Sequence, residues 1–196
     1  MAYTYPVTSV PASAGPTPWQ TVGPFFHDAL PYAAGSSVVG TSRPGAVTLH
    51  GTVYDGEGNA LPDAMVEVWQ ADEQGAFQES PGIFEEPAPE GFRGFGRCAT
   101  DPEGRYTFRT VLPGGVPTAD GTPQAPHVAM SVFARGMLRR VTTRVYFAGA
   151  GDDPLLNALP ADRAATLVAA TEDGGYRFDV HLQGPHETVF LDVVPS

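Results

Sequence analysis

Lysine is absent from this chain, and its only fixed cations are 11 arginines set against 22 Asp and Glu. The resulting formal net charge of −11 repels polyanions, so a nucleic-acid backbone and an anionic membrane surface are poor partners. An anionic small molecule would need a locally placed Arg. Cysteine is nearly absent too. Cys98 stands alone, which excludes an internal disulfide and any metal cluster built from Cys. No run of about 18 apolar residues occurs, so no membrane-spanning helix is expected. Residues 1–20 carry neither a basic opening nor a continuous apolar stretch, so no secretory signal is expected either. The expected location is cytoplasmic.

What the chain has in quantity is turn formers. Its 23 Gly and 20 Pro make up more than a fifth of 196 residues, which cuts the sequence into short pieces and disfavours long helices. A 42% hydrophobic content still permits a packed interior, and the length suits one domain with an arm. Residues 1–44 are rich in Pro, Gly, Ser and Thr, and their aromatics, including Trp19, Phe25 and Phe26, follow no strand or helix period. They are expected to form an extended arm that packs on a partner, because disordered tails are poor in aromatics. Residues 45–196 are expected to form the folded domain.

From Ala46 the pattern alternates. Val47, Leu49, Gly51 and Val53 share one face of a strand, and Asp55-Gly56-Glu57-Gly58-Asn59 is turn chemistry. Further strands are expected over residues 64–69 and 105–110. A hairpin is expected from residues 128–134 and 141–147 around Arg135-Gly136, and a closing pair from residues 176–182 and 188–194. One Ala-rich helix follows Pro160, over residues 161–170, and residues 81–94 read as a long exposed loop. Many short strands with one short helix predict an all-β fold, an antiparallel β-sandwich with an extended N-terminal arm.

Catalytic constellations are missing. No two of His27, His50, His127, His181 and His186 stand at the i, i+2 or i, i+4 spacing usual for metal ligands. No phosphate loop and no Gly-x-Ser-x-Gly elbow occurs. Tyr54, Tyr106, Tyr146 and Tyr176 lie within alternating strands, where packing is the default.

Four stretches nevertheless carry a resemblance. They are Thr17-Pro18-Trp19-Gln20-Thr21-Val22-Gly23-Pro24-Phe25-Phe26; Val53-Tyr54-Asp55-Gly56 with Val66-Glu67-Val68-Trp69-Gln70-Ala71-Asp72; Gly94-Phe95-Gly96-Arg97 with Tyr106 to Gly114; and Ala125-Pro126-His127 with Phe133-Ala134-Arg135-Gly136. Together they resemble the intradiol ring-cleaving dioxygenases, and among them the protocatechuate 3,4-dioxygenases, over residues 17–194. The resemblance implies an α–β hetero-oligomer that opens the ring of 3,4-dihydroxybenzoate between its hydroxyls with O2, giving 3-carboxy-cis,cis-muconate. It also implies Fe(III) held by two Tyr and two His of the β subunit; a hard ferric ion favours anionic oxygen donors.

Carried over residue by residue, the first Tyr position is Phe77, the second is Val116, and the His-x-His pair is His127-Val128-Ala129. Three of four ligands are gone, and the Arg expected three residues before the first His is Gln124. The chain therefore resembles an α subunit that binds no metal itself and carries no catalytic residue. The resemblance makes Arg135 a substrate-binding residue at the α–β interface, with Thr21, Gly23 and Pro24 of the arm as pocket wall. Along an extended strand His127 and Arg135 share a face but lie about 26 Å apart at about 3.3 Å per residue, so Arg135 would serve a neighbouring chain's centre. A planar guanidinium suits a benzoate carboxylate through paired charged hydrogen bonds. Two other readings stay open: an iron enzyme using His127 and a spare Tyr, and an accessory or ligand-binding β-sandwich module without enzymatic role.

Overall fold

The computed structural model describes residues 21, 23, 25–78, 85–118, 120–149 and 151–192. Trp19 and Pro24 lie outside the described residues. The strands in chain order are β1 (Val47–Tyr54), β2 (Met65–Trp69), β3 (Phe95–Ala99), β4 (Arg105–Thr110), β5 (His127–Phe133), β6 (Val141–Phe147), β7 (Val168–Glu172), β8 (Gly175–Arg177) and β9 (Val180–His181). They pair in the order β3-β2-β5-β6-β7-β8-β1-β4, with β9 beside β1. The path folds back on itself as a sandwich. Val66, Val68, Val128, Met130, Val132 and Val145 of one half meet Leu49, Val53, Tyr106 and Phe108 of the other in a single buried cluster. Each such fully buried side chain contributes about 1.5–3 kcal/mol, and a charge at Val132 or Phe108 would break the layer contact.

The β-sandwich is as the strand spacing predicts, and so are β1, β2, β4 and the β5–β6 hairpin. Its pairing is mixed: β8 and β9 run parallel to β1, and β7 runs parallel to β6. Among the described residues there are three short helices where one was expected: α1 (Phe26–Ala29), α2 (Pro154–Ala158) and α3 (Ala161–Ala165). The expected helix over residues 161–170 stops at Ala165. Leu167 and Ala169 are buried while Val168 and Ala170 are exposed, a period of two, and β7 finds ladder partners on both sides. Tertiary pairing overrides the helix propensity of the Ala run. The closing pair also differs. Residues 188–192 form no strand, although Thr188 N–H donates to His181 O at 3.0 Å and Leu191 N–H to Thr142 O at 2.7 Å.

Part of the expected arm belongs to this chain's own body. Val38 and Val39 are fully buried, and Ser37 and Val39 form bridges with Arg109 and Phe92. The Arg93 guanidinium holds this segment, donating to Ala34 O at 2.7 Å and Ser37 O at 2.6 Å. The loop expected over residues 81–94 is exposed or half-exposed at residues 85–92 but ends buried at Arg93 and Gly94.

Candidate functional site

Even-numbered residues of β5 point into the core, so His127, Ala129, Ser131 and Phe133 face outward. Register extends this face across the layer. Phe95, Trp69, Ala129 and Arg144 form one row, Arg97, Glu67, Ser131 and Thr142 the next, and Ala99, Met65 and Phe133 the third. An Arg97–Glu67 ion pair at 2.6 Å closes the middle of the face and separates two ends of different chemistry.

At one end Phe77, Val116, His127 and Ala129, the positions the resemblance makes counterparts of metal ligands, lie on neighbouring segments. Trp69, directly across from Ala129, stacks on Phe77 with ring centroids 6.4 Å apart. Gly114 N–H donates to Asp72 O at 2.7 Å, and Gln124 N–H to Val116 O at 3.2 Å, which joins the Phe77 loop, the Val116 loop and the start of β5. The approach is close: a Cβ on Gly75 would sit 2.5 Å from Gly115 O, so only Gly fits there. Of the four side chains only His127 carries a donor atom. Its Nδ1–H donates to Ala125 O at 2.8 Å, which leaves Nε2 as the single lone pair. Burial, with the nearby Arg144 charge, pushes the His127 pKa down against the pull of that hydrogen bond.

The spare tyrosine nearest to His127 is Tyr146, 5.5 Å between ring centroids. Its hydroxyl donates to Asp153 Oδ1 at 3.0 Å, and burial pushes its pKa up to about 12, so at neutral pH it is a phenol and not a tyrosinate. Asp153 is fully buried and caps α2 through Leu155 N–H at 2.8 Å while also accepting from Ala125 N–H at 2.9 Å. Burial would raise its pKa, but these donors outweigh it and hold the carboxyl below its ordinary range. Among the described residues no group of three or more His, Cys, Asp or Glu could hold a metal. The donor set at this end does not fit a ferric ion.

At the other end stands Arg135. Ala134-Arg135-Gly136-Met137 is a turn closed by Met137 N–H donating to Ala134 O at 3.2 Å, with Gly136 at φ +86, where a side chain would be strained. Arg135 Nε lies 3.1 Å from Asp63 Oδ2, and its side chain is 67% exposed. With exposed Arg139 and Arg140 beside it, this corner is a local cation on an acidic chain. The arm arrives at the same corner. The Phe26 ring lies 6.3 Å from Phe133, two residues before Arg135, and α1 is further held by His27 Nε2 donating to Thr100 O at 3.2 Å. Three residues ahead of α1, Gly23 turns at φ +76; Thr21 is exposed and Gly23 half-buried. Phe25 is 78% exposed. Residue reading missed Asp63, which no motif marks, and Asp153, which the Asp-Pro helix start does mark.

Known proteins resemble this chain over most of its length. A family model described as "Dioxygenase" matches residues 22–184. The protocatechuate 3,4-dioxygenase alpha chain of Burkholderia cepacia is 41% identical over 90% of this chain and 97% of its own length. The beta chain from the same organism is 32% identical over 86% of this chain and 76% of its own. Among solved structures, the dioxygenase domain of a dioxygenase carbohydrate-binding fusion from Streptomyces sp. SirexAA-E superposes with a TM-score of 0.56 at 27% identity, over 87% of this chain and 99% of that one. The chain belongs to the intradiol ring-cleaving dioxygenase family.

Proposed function

We propose that this chain is the non-metal-holding α subunit of a heteromeric protocatechuate 3,4-dioxygenase, working in the cytoplasm beside a homologous β subunit. The observation that carries the reading is the division of the outward face. The end that the resemblance makes the counterpart of the metal site holds Phe77, Val116 and Ala129, side chains without a donor atom, while the far end presents the exposed cation Arg135, paired with Asp63. Fe(III) would be held by the partner and would supply activation of the chelated ring toward O2. This chain's own part is binding and exclusion of water. Arg135 takes the substrate carboxylate through its planar fork, against the repulsion that a net charge of −11 would otherwise exert. Thr21, Gly23 and Pro24 form pocket wall.

The arm, residues 1–44, packs on the partner with its portion before Ala34, since Ala34 to Gly40 are buried or half-buried in this chain's own body. Exposed Phe25 and Leu30 are the apolar surface such a contact would cover. Co-expression with the β subunit tests the reading. Iron and protocatechuate-dependent O2 uptake should be found in the mixture and absent from this chain alone. A stoichiometric visible tyrosinate-to-iron band in the isolated chain would overturn it.

A further inference from the structure

Resting on the reading of Arg135 as the carboxylate-binding residue, we propose that Asp63 is a positioning residue that aims its guanidinium. The β2–β5 ladder pairs Met65 with Phe133. Continued two residues past its end, the same antiparallel register sets Asp63 opposite Arg135. The contact is made: Arg135 Nε lies 3.1 Å from Asp63 Oδ2, with Asp63 only 22% exposed and Arg135 67% exposed. Among the described residues this is the one ion pair of Arg135, and its side chain makes no hydrogen bond. Asp63 therefore holds the guanidinium by charge, with its carboxylate nearest Nε, and leaves the two Nη groups, the end-on fork that a planar carboxylate engages with two parallel hydrogen bonds.

A long side chain on an exposed turn is otherwise free to sample many rotamers. Here it is tied at both ends, by the Gly136 turn at its Cα and by Asp63 at its head. Ordering one such side chain when a ligand binds weakens affinity roughly two- to tenfold, and Asp63 would remove that loss in advance. Its own negative charge acts in the opposite sense. That repulsion is screened by solvent at this exposed corner, so positioning is the larger effect.

The experiment uses the α–β complex carrying Asp63→Ala, Asp63→Asn, Arg135→Leu or Asp63→Ala with Arg135→Leu, each measured on protocatechuate and on catechol, which lacks the carboxylate. Asp63→Ala should raise KM for protocatechuate roughly two- to tenfold, with kcat and catechol turnover unchanged. Asp63→Asn, which keeps an acceptor without the charge, should fall between it and the unaltered complex. In the Arg135→Leu background Asp63→Ala should add nothing. If the Ala variant fails to assemble, the Asn variant decides on the same ratio of substrates. An unchanged or lowered protocatechuate KM overturns the proposal and makes Asp63 a bystander or a competitor, as does an equal loss on catechol. If Arg135→Leu itself leaves the substrate ratio unchanged, the reading of Arg135 fails instead.

Discussion

Replacing Arg135 by Leu separates substrate recognition from folding, because the two effects have different sizes at this site. In the single chain Arg135 is mostly exposed and its one ion pair is with Asp63; an exposed pair of this kind stabilises by less than about 1 kcal/mol. Folding and assembly should therefore survive the change. A charged hydrogen-bonded contact to a substrate carboxylate is worth about 1.5–3 kcal/mol, which converts to a roughly ten- to hundredfold loss in kcat/KM for protocatechuate. Catechol should be far less affected, so the ratio of the two specificity constants should fall by nearly the whole factor. Arg135→Lys keeps the charge but loses the fork, and should lie between. The assay is O2 uptake by the α–β complex at matched iron content. Equal loss on both substrates would point to damaged assembly, and no loss on either would return Arg135 to the surface; each result refutes the reasoning.

Three further outcomes are expected. Asp153→Ala removes a buried acceptor of Ala125 N–H, the Tyr146 hydroxyl and Leu155 N–H and should cost about 3 kcal/mol; a urea-denaturation difference below about 1 kcal/mol would contradict the structure. Asp153 has a lowered folded pKa, so its stabilisation is complete above the unfolded Asp value of about 3.9 and is lost as pH falls through the folded one. His127 is also lowered, so its contribution begins to fall once pH drops below about 6.5, and a melting temperature flat from pH 7 to pH 3 would exclude both. Deleting residues 1–32 removes Phe26 from Phe133, which should cost the sandwich about 1.5–3 kcal/mol but abolish assembly with the β subunit; a full-sized, fully active truncated complex would show the arm to be dispensable.

The strands that alternate cleanly were legible in the sequence because their burial alternates in the same way. β5 is the clearest case, with Val128, Met130 and Val132 fully buried and each neighbour between them half-exposed. β3 was not legible. Phe-Gly-Arg-Cys-Ala has no apolar period, and its side chains are placed by a register that only the fold supplies, with Arg97 opposite Glu67 and Phe95 opposite Trp69. Residues 161–170 misled for the opposite reason. An Ala-rich stretch satisfies helix propensity anywhere, and what makes Val168–Glu172 a strand is a pair of neighbours, β6 and β8, far from it in sequence. Only the alternation of Leu167 and Ala169 against Val168 and Ala170 could have been seen beforehand, and it is too short to outweigh the composition.

The site was legible where identity of the residue decides and illegible where register does. Phe77, Val116 and Ala129 lack donor atoms wherever they are placed, so once the resemblance marks these positions the expectation of a missing ligand set needs no register. Arg135 could be marked as a cation on an acidic chain, but nothing in Pro62-Asp63-Ala64 points to it. Those residues stand 72 positions before Arg135 as a plain turn with an acid in it. The partnership exists because β2 and β5 are antiparallel with Met65 against Phe133; in a register slipped by one residue the Arg would face Pro62 or Ala64 and be left without a carboxylate. The orientation of the one cation expected to touch substrate thus depends on the pairing of two strands whose inner faces are among the most buried in the chain. It follows that a core substitution shifting that register, such as a bulkier residue at Val66 or Val132, should degrade the choice between protocatechuate and catechol at temperatures where the complex is still assembled.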